Sequence, residues 1–548
     1  MKRFIIFLIF ALCIFTGIFF LYKYVPNAET VSYSYDEPTL IIEDDVITDN
    51  DDSLLIEDNN IFLSYDTIKK FIDPNIFYDE NEGTIVITTI NKVIKAKINE
   101  DKASVNEREV QLKNSIIKFN NILYIPIELF PEDYKTDIRY IKERNTVIID
   151  FKDRQYPIGE VYTVNGTVRT GPSIKSPLLL GKVEEGSKLL IFEEYDKWYK
   201  IRTEEGIVGF IEKRYVKKDL AQKKGEEVSD GAVSEKINIT WDYIGDYGGN
   251  IDKILPVHGL DIICPTFFSI TDKDGTIKDK GNQQYVSKYQ SLGYKVWGLV
   301  SNSFDPDVTG EVLKNTSSRE QLINKLLEIY INYGLDGINI DFENVYLRDK
   351  ELLTQFVREL TPIFKEHNMV VSIDVTPISS SENWSKFYDR VELARIVDYI
   401  VIMTYDQYWA ASPNAGSVAQ YTWVEESIKN IINEVPNNKL ILGIPYYTRL
   451  WKTDSDGKLS SVTLSMDAQD KFVADNNMIK RWDKESGQFY GEVDKEGENY
   501  KIWLEDENSI KLKTSLVNKY DLAGVASWRK GYEKEEIWET ISNNIRLN

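Results

Sequence analysis

The sequence predicts an α/β protein whose C-terminal domain is a closed (β/α)8 TIM barrel, preceded by small β-rich modules. Three observations predict it. From Lys236 onward, apolar runs alternate with amphipathic stretches of helix length, the pattern of parallel strands joined by crossover helices. Those runs number eight: 237–241, 262–270, 295–300, 337–342, 370–375, 399–404, 439–444 and 524–528. Before Lys236, short β-like runs broken by Gly, Pro, Asn and Asp dominate instead.

A chain of 548 residues is too long for one core, so two to four domains are expected. The net charge of −22 gives a solvated, anionic exterior that repels phosphate backbones and argues against a nucleic-acid partner. The two cysteines, Cys13 and Cys264, build no disulfide framework. The two histidines, His258 and His367, are too few for a His-rich metal site and disfavour a histidine-based triad. No metal or cofactor is expected, and carboxylates must carry any acid–base chemistry.

The chain opens with Lys2 and Arg3, then an apolar run from Phe4 to Tyr22, then Lys23. Such a run rises about 28 Å as a helix, close to a bilayer's hydrocarbon thickness. Residues 1–28 are therefore expected to be a retained membrane anchor or a signal peptide, with everything after them outside the cytoplasm. The anchor is favoured because Tyr24-Val25-Pro26-Asn27-Ala28 offers no good cleavage site. Residues 29–52, acidic and rich in Ser, Thr and Asp, read as a spacer.

Residues 53–153 carry an internal repeat. Asn60-Ile61-Phe62-Leu63 followed by Thr84-Ile85-Val86-Ile87 is echoed by Asn121-Ile122-Leu123-Tyr124 followed by Thr146-Val147-Ile148-Ile149. The period of about 60 residues predicts one duplicated β-α-β unit, a small α+β domain. It is similar to stalk-type domains found before several wall enzymes, and a structural platform is the role expected of it. In residues 160–217, Val168-Arg169-Thr170-Gly171-Pro172-Ser173, Trp198-Tyr199-Lys200-Ile201 and Gly209-Phe210-Ile211 predict a small barrel of short strands. Their order resembles bacterial SH3 domains, which implies docking on peptidoglycan. Trp198 is as well suited to the core as to a ligand. Residues 218–235, charged and poor in apolar side chains, read as a linker.

Within the barrel domain, 236–548, the seventh and eighth strand candidates lie too far apart for one helix. Residues from about 451 to 508 contain Phe489-Tyr490 and Ile502-Trp503-Leu504, which predict a small inserted β-rich lobe walling a cleft. The decisive stretch is Asp336-Gly337-Ile338-Asn339-Ile340-Asp341-Phe342-Glu343. Strand alternation sends Ile338, Ile340 and Phe342 toward the outer helices and Asn339, Asp341 and Glu343 into the barrel. Three inward polar groups are costly unless paired or used.

This stretch resembles the DxxDxDxE signature of family 18 glycoside hydrolases, with Asn339 in place of the middle acid. The resemblance implies Glu343 as general acid and Asp341 as the group orienting the substrate's 2-acetamido group. That group's carbonyl oxygen, rather than a protein nucleophile, attacks the anomeric carbon. Met403-Thr404-Tyr405-Asp406 resembles the family's MxYD strand end, where the tyrosine holds the acetamido group, and Trp528 resembles the tryptophan flooring the subsite beside the cleaved bond. The resemblance thus makes Glu343, Asp341 and Tyr405 the catalytic set, with Trp528, Met403, Asp406 and Asn339 binding substrate. Tyr447 and Arg449 are expected only to line the cleft. An ionised Asp341 is expected to keep Glu343 protonated near neutral pH, and Asn339 to shift the pH profile.

Three functions fit. The first is retaining hydrolysis of β-1,4 bonds after N-acetylglucosamine in peptidoglycan, spore cortex included. The second is chitin hydrolysis on the same machinery. The third is a non-catalytic glycan-binding barrel, which the intact Asp341 and Glu343 disfavour. An N-acetylated glycan is the partner in each case, and the wall-type N-terminal modules favour the first.

Overall fold

The computed structural model describes residues 2–31, 37–47, 52–219, 235–245 and 251–546. The chain divides into two compact units. The first holds Met1–Ile76, Ala96–Ala103 and Glu109–Ser229; the second holds Phe77–Lys95, Ser104–Arg108 and Asp230–Asn548. The linker expected over 218–235 falls almost wholly outside the described residues.

In the first unit, residues Lys2–Tyr24 form one helix. Among the described residues no helix is long and apolar enough to cross a membrane, so the expected anchor gains no support from the fold. The spacer expected over 29–52 is corrected in part. Thr39–Ile42 is a strand that runs parallel to Thr146–Phe151, with Leu40 opposite Val147, and antiparallel to Asp45–Ile47. Leu40, Ile41 and Ile42 are buried, an apolar run that the acidic flanks conceal in any composition count.

The internal repeat has a structural counterpart. Asn60–Ser64 leads into helix Tyr65–Phe71, and Ile122–Pro126 leads into a 3₁₀ turn, Ile127–Leu129. The two strands pair antiparallel, Leu63 opposite Ile125. The second copy keeps only a turn because Pro131 holds the residue before it, Phe130, in extended backbone. Seven short strands between Ile158 and Asp219 form the SH3-type sheet over a core that includes Val161, Val168, Ile191, Tyr199, Ile201 and Ile211. Trp198 is buried as well, so it fills the module instead of offering a ligand face.

The second unit is the barrel. Its strands are β1 (Ile237–Asp242), β2 (Ile262–Pro265), β3 (Lys295–Ser301), β4 (Gly337–Asp341), β5 (Val370–Val375), β6 (Tyr399–Met403), β7 (Leu440–Pro445) and β8 (Gly524–Trp528). All pair in parallel with their neighbours, and β8 pairs with both β7 and β1, which closes the ring. The second run is shorter than expected: Phe268–Ile270 is a separate strand lying beside the end of β3. Helices α1 (Gln283–Ser291), α2 (Thr316–Tyr333), α3 (Lys350–Glu366), α4 (Arg390–Ile396), α5 (Tyr421–Ile431), α6 (Glu507–Lys519) and α7 (Glu536–Ile545) surround it. In α3, Leu353, Phe356, Val357, Leu360 and Phe364 recur every three or four residues and are all buried. Gly337, at the start of β4, is tight: a Cβ there would lie 2.7 Å from Trp297 and 2.8 Å from the Val370 carbonyl.

The inserted lobe starts at Tyr447, directly after β7, and its five strands end at Leu504. Its helix, Met466–Asp475, packs on the sheet through Phe472 and Val473 against Leu450, Ile502 and Leu504. A fully buried Glu505 fastens it to α6, accepting from Lys513 at 2.6 Å, Gln488 at 2.7 Å and Ser509 at 2.7 Å.

Candidate active site

The site is built from the C-terminal ends of the strands, where this architecture gathers side chains from many segments. On β4 the alternation expected from sequence holds. Phe342 stacks on Phe356 of α3, with centroids 5.6 Å apart and planes 9° apart, while Ile338 and Ile340 join the same outer core. Asp336 sits at the opposite end of the strand. It accepts from Lys295 at 2.8 Å, Gln290 at 3.0 Å and the Val296 amide at 3.0 Å, so it fastens the barrel's lower rim and stays away from the site.

Asn339 points inward and is buried, where its expected part in substrate binding stays a proposal. Its Oδ1 accepts from Trp241 Nε1 at 2.9 Å and Cys264 Sγ at 3.4 Å; its Nδ2 donates to Asp374 Oδ1 at 2.8 Å and Ser372 Oγ at 3.1 Å. With every polar atom engaged inside the barrel, the amide braces its neighbours. Asp341 lies one layer higher, buried, with Oδ1 lacking any hydrogen-bond partner among the described residues.

Glu343 follows the strand end and is half-buried. Its backbone is pinned by Asn302, whose Oδ1 accepts from the Glu343 amide at 3.1 Å and whose Nδ2 donates to its carbonyl at 2.7 Å. Tyr388 donates to the Phe342 carbonyl at 2.9 Å and holds the same turn from the other side. Three carboxyl groups face one another here. Burial pushes Asp341 up from 3.8 to about 7. Asp374 is pushed well above the carboxylate range by burial and then by Asp341, against the hydrogen bond from Asn339. Glu343 is likewise raised well above its ordinary value, by burial first, then by Asp341 and Asp406. The sequence expectation that Asp341's charge keeps Glu343 protonated is thus revised in its ranking: desolvation is the larger cause. Asp341 itself titrates near neutrality, so the cluster holds protons in common.

The other strands complete the wall. Tyr405, after β6, meets Trp241 of β1 edge-on at 6.4 Å, and Trp241 lies 5.9 Å from Trp528 of β8. Burial, then Asp374 and Asp341, raise the Tyr405 hydroxyl, so it remains a neutral donor. Met403 is buried at the end of β6. Asp406 accepts from Tyr447 at 2.7 Å and Arg449 at 3.0 Å, both on the first lobe strand. Trp528 is half-buried, with one side packed on the barrel's inner core.

The structure therefore gathers Glu343, Asp341, Tyr405, Asp406 and Trp528 at one face and adds groups that sequence reasoning passed over. Asp374 had a readable signal, since Ser372 and Asp374 repeat on β5 the inward polar alternation of β4. Asn302 and Tyr388 lie beyond strand ends in loops, where no periodicity marks them.

Residues 239–533, more than half the chain, match the family model of glycosyl hydrolases family 18. The chain belongs to that family. It is accordingly an enzyme of the glycosidase class. Residues 41–149 match the copper amine oxidase N-terminal domain, and 164–217 the bacterial SH3 domain. Among similar curated proteins, the uncharacterized glycosylase YvbX of Bacillus subtilis is 26% identical over 287 residues, 50% of this chain and 82% of that one. The cortical fragment-lytic enzyme of Bacillus subtilis is 24% identical over 266 residues, 48% of this chain and 62% of that one. The crystal structure of the Bacillus megaterium spore cortex-lytic enzyme SleL superposes with a TM-score of 0.52 at 18% identity, covering 69% of this chain and 80% of that chain; at this identity the likeness is one of fold.

Proposed function

We propose that this family 18 enzyme hydrolyses β-1,4 bonds after N-acetylglucosamine in cell-wall peptidoglycan, outside the cytoplasm, with retention of anomeric configuration. The observation that carries the reading is the Glu343 carboxyl. It is pinned through its backbone by Asn302 and kept protonated by burial and by the acidic groups around it. A protonated carboxyl at a barrel's C-terminal rim is a general acid poised for a glycosidic oxygen.

Glu343 gives its proton to the leaving oxygen while the substrate's own acetamido carbonyl attacks the anomeric carbon. Asp341, whose Oδ1 lacks a partner among the described residues, accepts the acetamido N–H and offsets the positive charge that develops on that group. Tyr405 donates to the acetamido oxygen and steadies its aim. Water then opens the cyclic intermediate with Glu343 acting as base, which regenerates the starting proton. Trp528 presents an aromatic face to the sugar ring, with Met403 buried at the end of β6 and Asp406 held by Tyr447 and Arg449. Asn339 acts through Asp374.

Peptidoglycan is favoured over chitin by the SH3-type module and by the similarity to the cortical fragment-lytic enzyme of Bacillus subtilis. Purified peptidoglycan and chitin should be digested separately and the new reducing ends analysed by mass. New N-acetylglucosamine reducing ends from peptidoglycan are expected, and Glu343→Gln should lower their rate by about 10²–10⁴. Cleavage of chitin alone would replace the peptidoglycan reading, and glycan binding without new ends from either polymer would remove the hydrolytic one.

A further inference from the structure

The chain carries a net charge of −22, yet β8 ends in Trp528-Arg529-Lys530, two cations directly beyond the aromatic floor of the site. The segment is fixed in place. The Trp528 carbonyl accepts from the Tyr446 amide at 2.7 Å, and the Lys530 amide donates to the Trp241 carbonyl at 2.9 Å, so it is tied to both β7 and β1.

The Arg529 guanidinium lies 4.1 Å from the Tyr532 ring centre and 4.9 Å from that of Tyr243. Two aromatic faces thus hold the cation while Tyr243 itself stays exposed. Arg529 makes no ion pair among the described residues. Burial raises the Asp242 carboxyl, against Lys530, the hydrogen bond it accepts on Oδ2 from the Tyr285 hydroxyl at 2.6 Å and, least, Arg529. A guanidinium stacked on rings keeps the N–H donors in its own plane, the geometry that grips a carboxylate with two parallel bonds.

The geometry points to Arg529 as a specificity residue that binds a carboxylate on the sugar preceding the one seated on Trp528. This rests on the peptidoglycan reading above and deepens it. Strands β4 and β8 stand on opposite sides of an eight-strand ring, so the acid of β4 faces the bond to be cut. The Arg529 side of Trp528 then receives the sugar beyond the other end of the seated ring. In peptidoglycan a neutral N-acetylated sugar alternates with one bearing a lactyl carboxylate or the peptide built on it. A neutral sugar on Trp528 is therefore preceded by an acidic one. Chitin offers no carboxylate at that place.

The test uses the full chain and soluble peptidoglycan fragments, either with free carboxylates or with the same carboxylates amidated. The wild type is expected to favour the free acid by about tenfold in kcat/KM, carried by KM, the value of one good charge-assisted pair. Arg529→Gln should bring that ratio close to one, and Arg529→Lys, which keeps the charge without the fork, should fall between. A merely structural role for Arg529 would slow both substrates alike and leave the ratio at its wild-type value; that outcome overturns the inference. A wild type that cuts peptidoglycan but shows no preference overturns it too. Failure of the wild type to cut either form overturns the peptidoglycan reading itself and this inference with it.

Discussion

Asp341 is buried and, among the described residues, lacks a counter-ion and has an oxygen without a partner, and each of these features makes its charge expensive. Its carboxyl titrates at about 7 in the folded chain against an ordinary 3.8. Between those values the folded state holds a proton that the unfolded chain has released, so stability falls as pH rises from about 4 to about 7 and is level beyond. Asp341→Asn removes the cost. Its melting temperature should exceed that of the wild type by about 8 °C at pH 8 and match it at pH 3.5, where both side chains are neutral. Calorimetry at the two values decides it, and a difference independent of pH would contradict the account. The same residue would pay for its instability in function, since activity is lost in the variant that gains stability. Of these groups, Asp341 and Glu343 were legible because strand alternation is a local property. Their shared protons were not, because desolvation depends on β5 and β6, which are distant in sequence.

At the scale of elements, the second unit contains a segment that does not look like part of a barrel. Phe77–Asp79 and Thr84–Thr88 form a hairpin whose Asp79 caps α2, accepting from the Thr316 amide at 2.6 Å and its hydroxyl at 2.8 Å. Glu82 accepts from the Ser317 amide at 2.9 Å. Nearby, the fully buried Arg319 and Glu359 pair at 2.8 Å across α2 and α3, and Lys95 approaches Glu359 at 3.5 Å. Asp79→Ala leaves two buried donors without their acceptor and should cost about 2 kcal/mol. Urea denaturation followed by barrel tryptophan fluorescence measures it, and a loss under a few tenths of that would show that the cap is dispensable. From sequence, α2 could be given only its own local cap. That local box, Asn315 with Ser318, does form, and the added partner Asp79 lies 237 residues away, beyond the reach of any local pattern.

For the whole molecule, the compact units do not follow the modules that the sequence separates. Residues 77–95 and 104–108, within the segment read as a stalk-type domain, belong to the same unit as the barrel. A chain beginning at Lys236 loses the Asp79 cap, the Glu82 contact and Lys95 together. Its barrel transition in scanning calorimetry should come at least 5 °C or so below that of the full chain, since several kcal/mol are removed at once. An unchanged transition would mean that the barrel stands without that segment.

What the sequence determined by itself is whatever repeats at short range: eight strand runs, the direction in which β4's side chains point, and the row that brings Asp341 and Glu343 to one face. Those follow from a period of two residues, which the backbone imposes wherever the strand lies. Tertiary structure alone decided that Asn339 spends its amide on Trp241, Cys264, Ser372 and Asp374, that burial outweighs charge in raising Glu343, and that Arg529 is clasped between Tyr243 and Tyr532. Hydrogen bonding and desolvation are set by which groups meet across the barrel, and chain proximity carries no information about that.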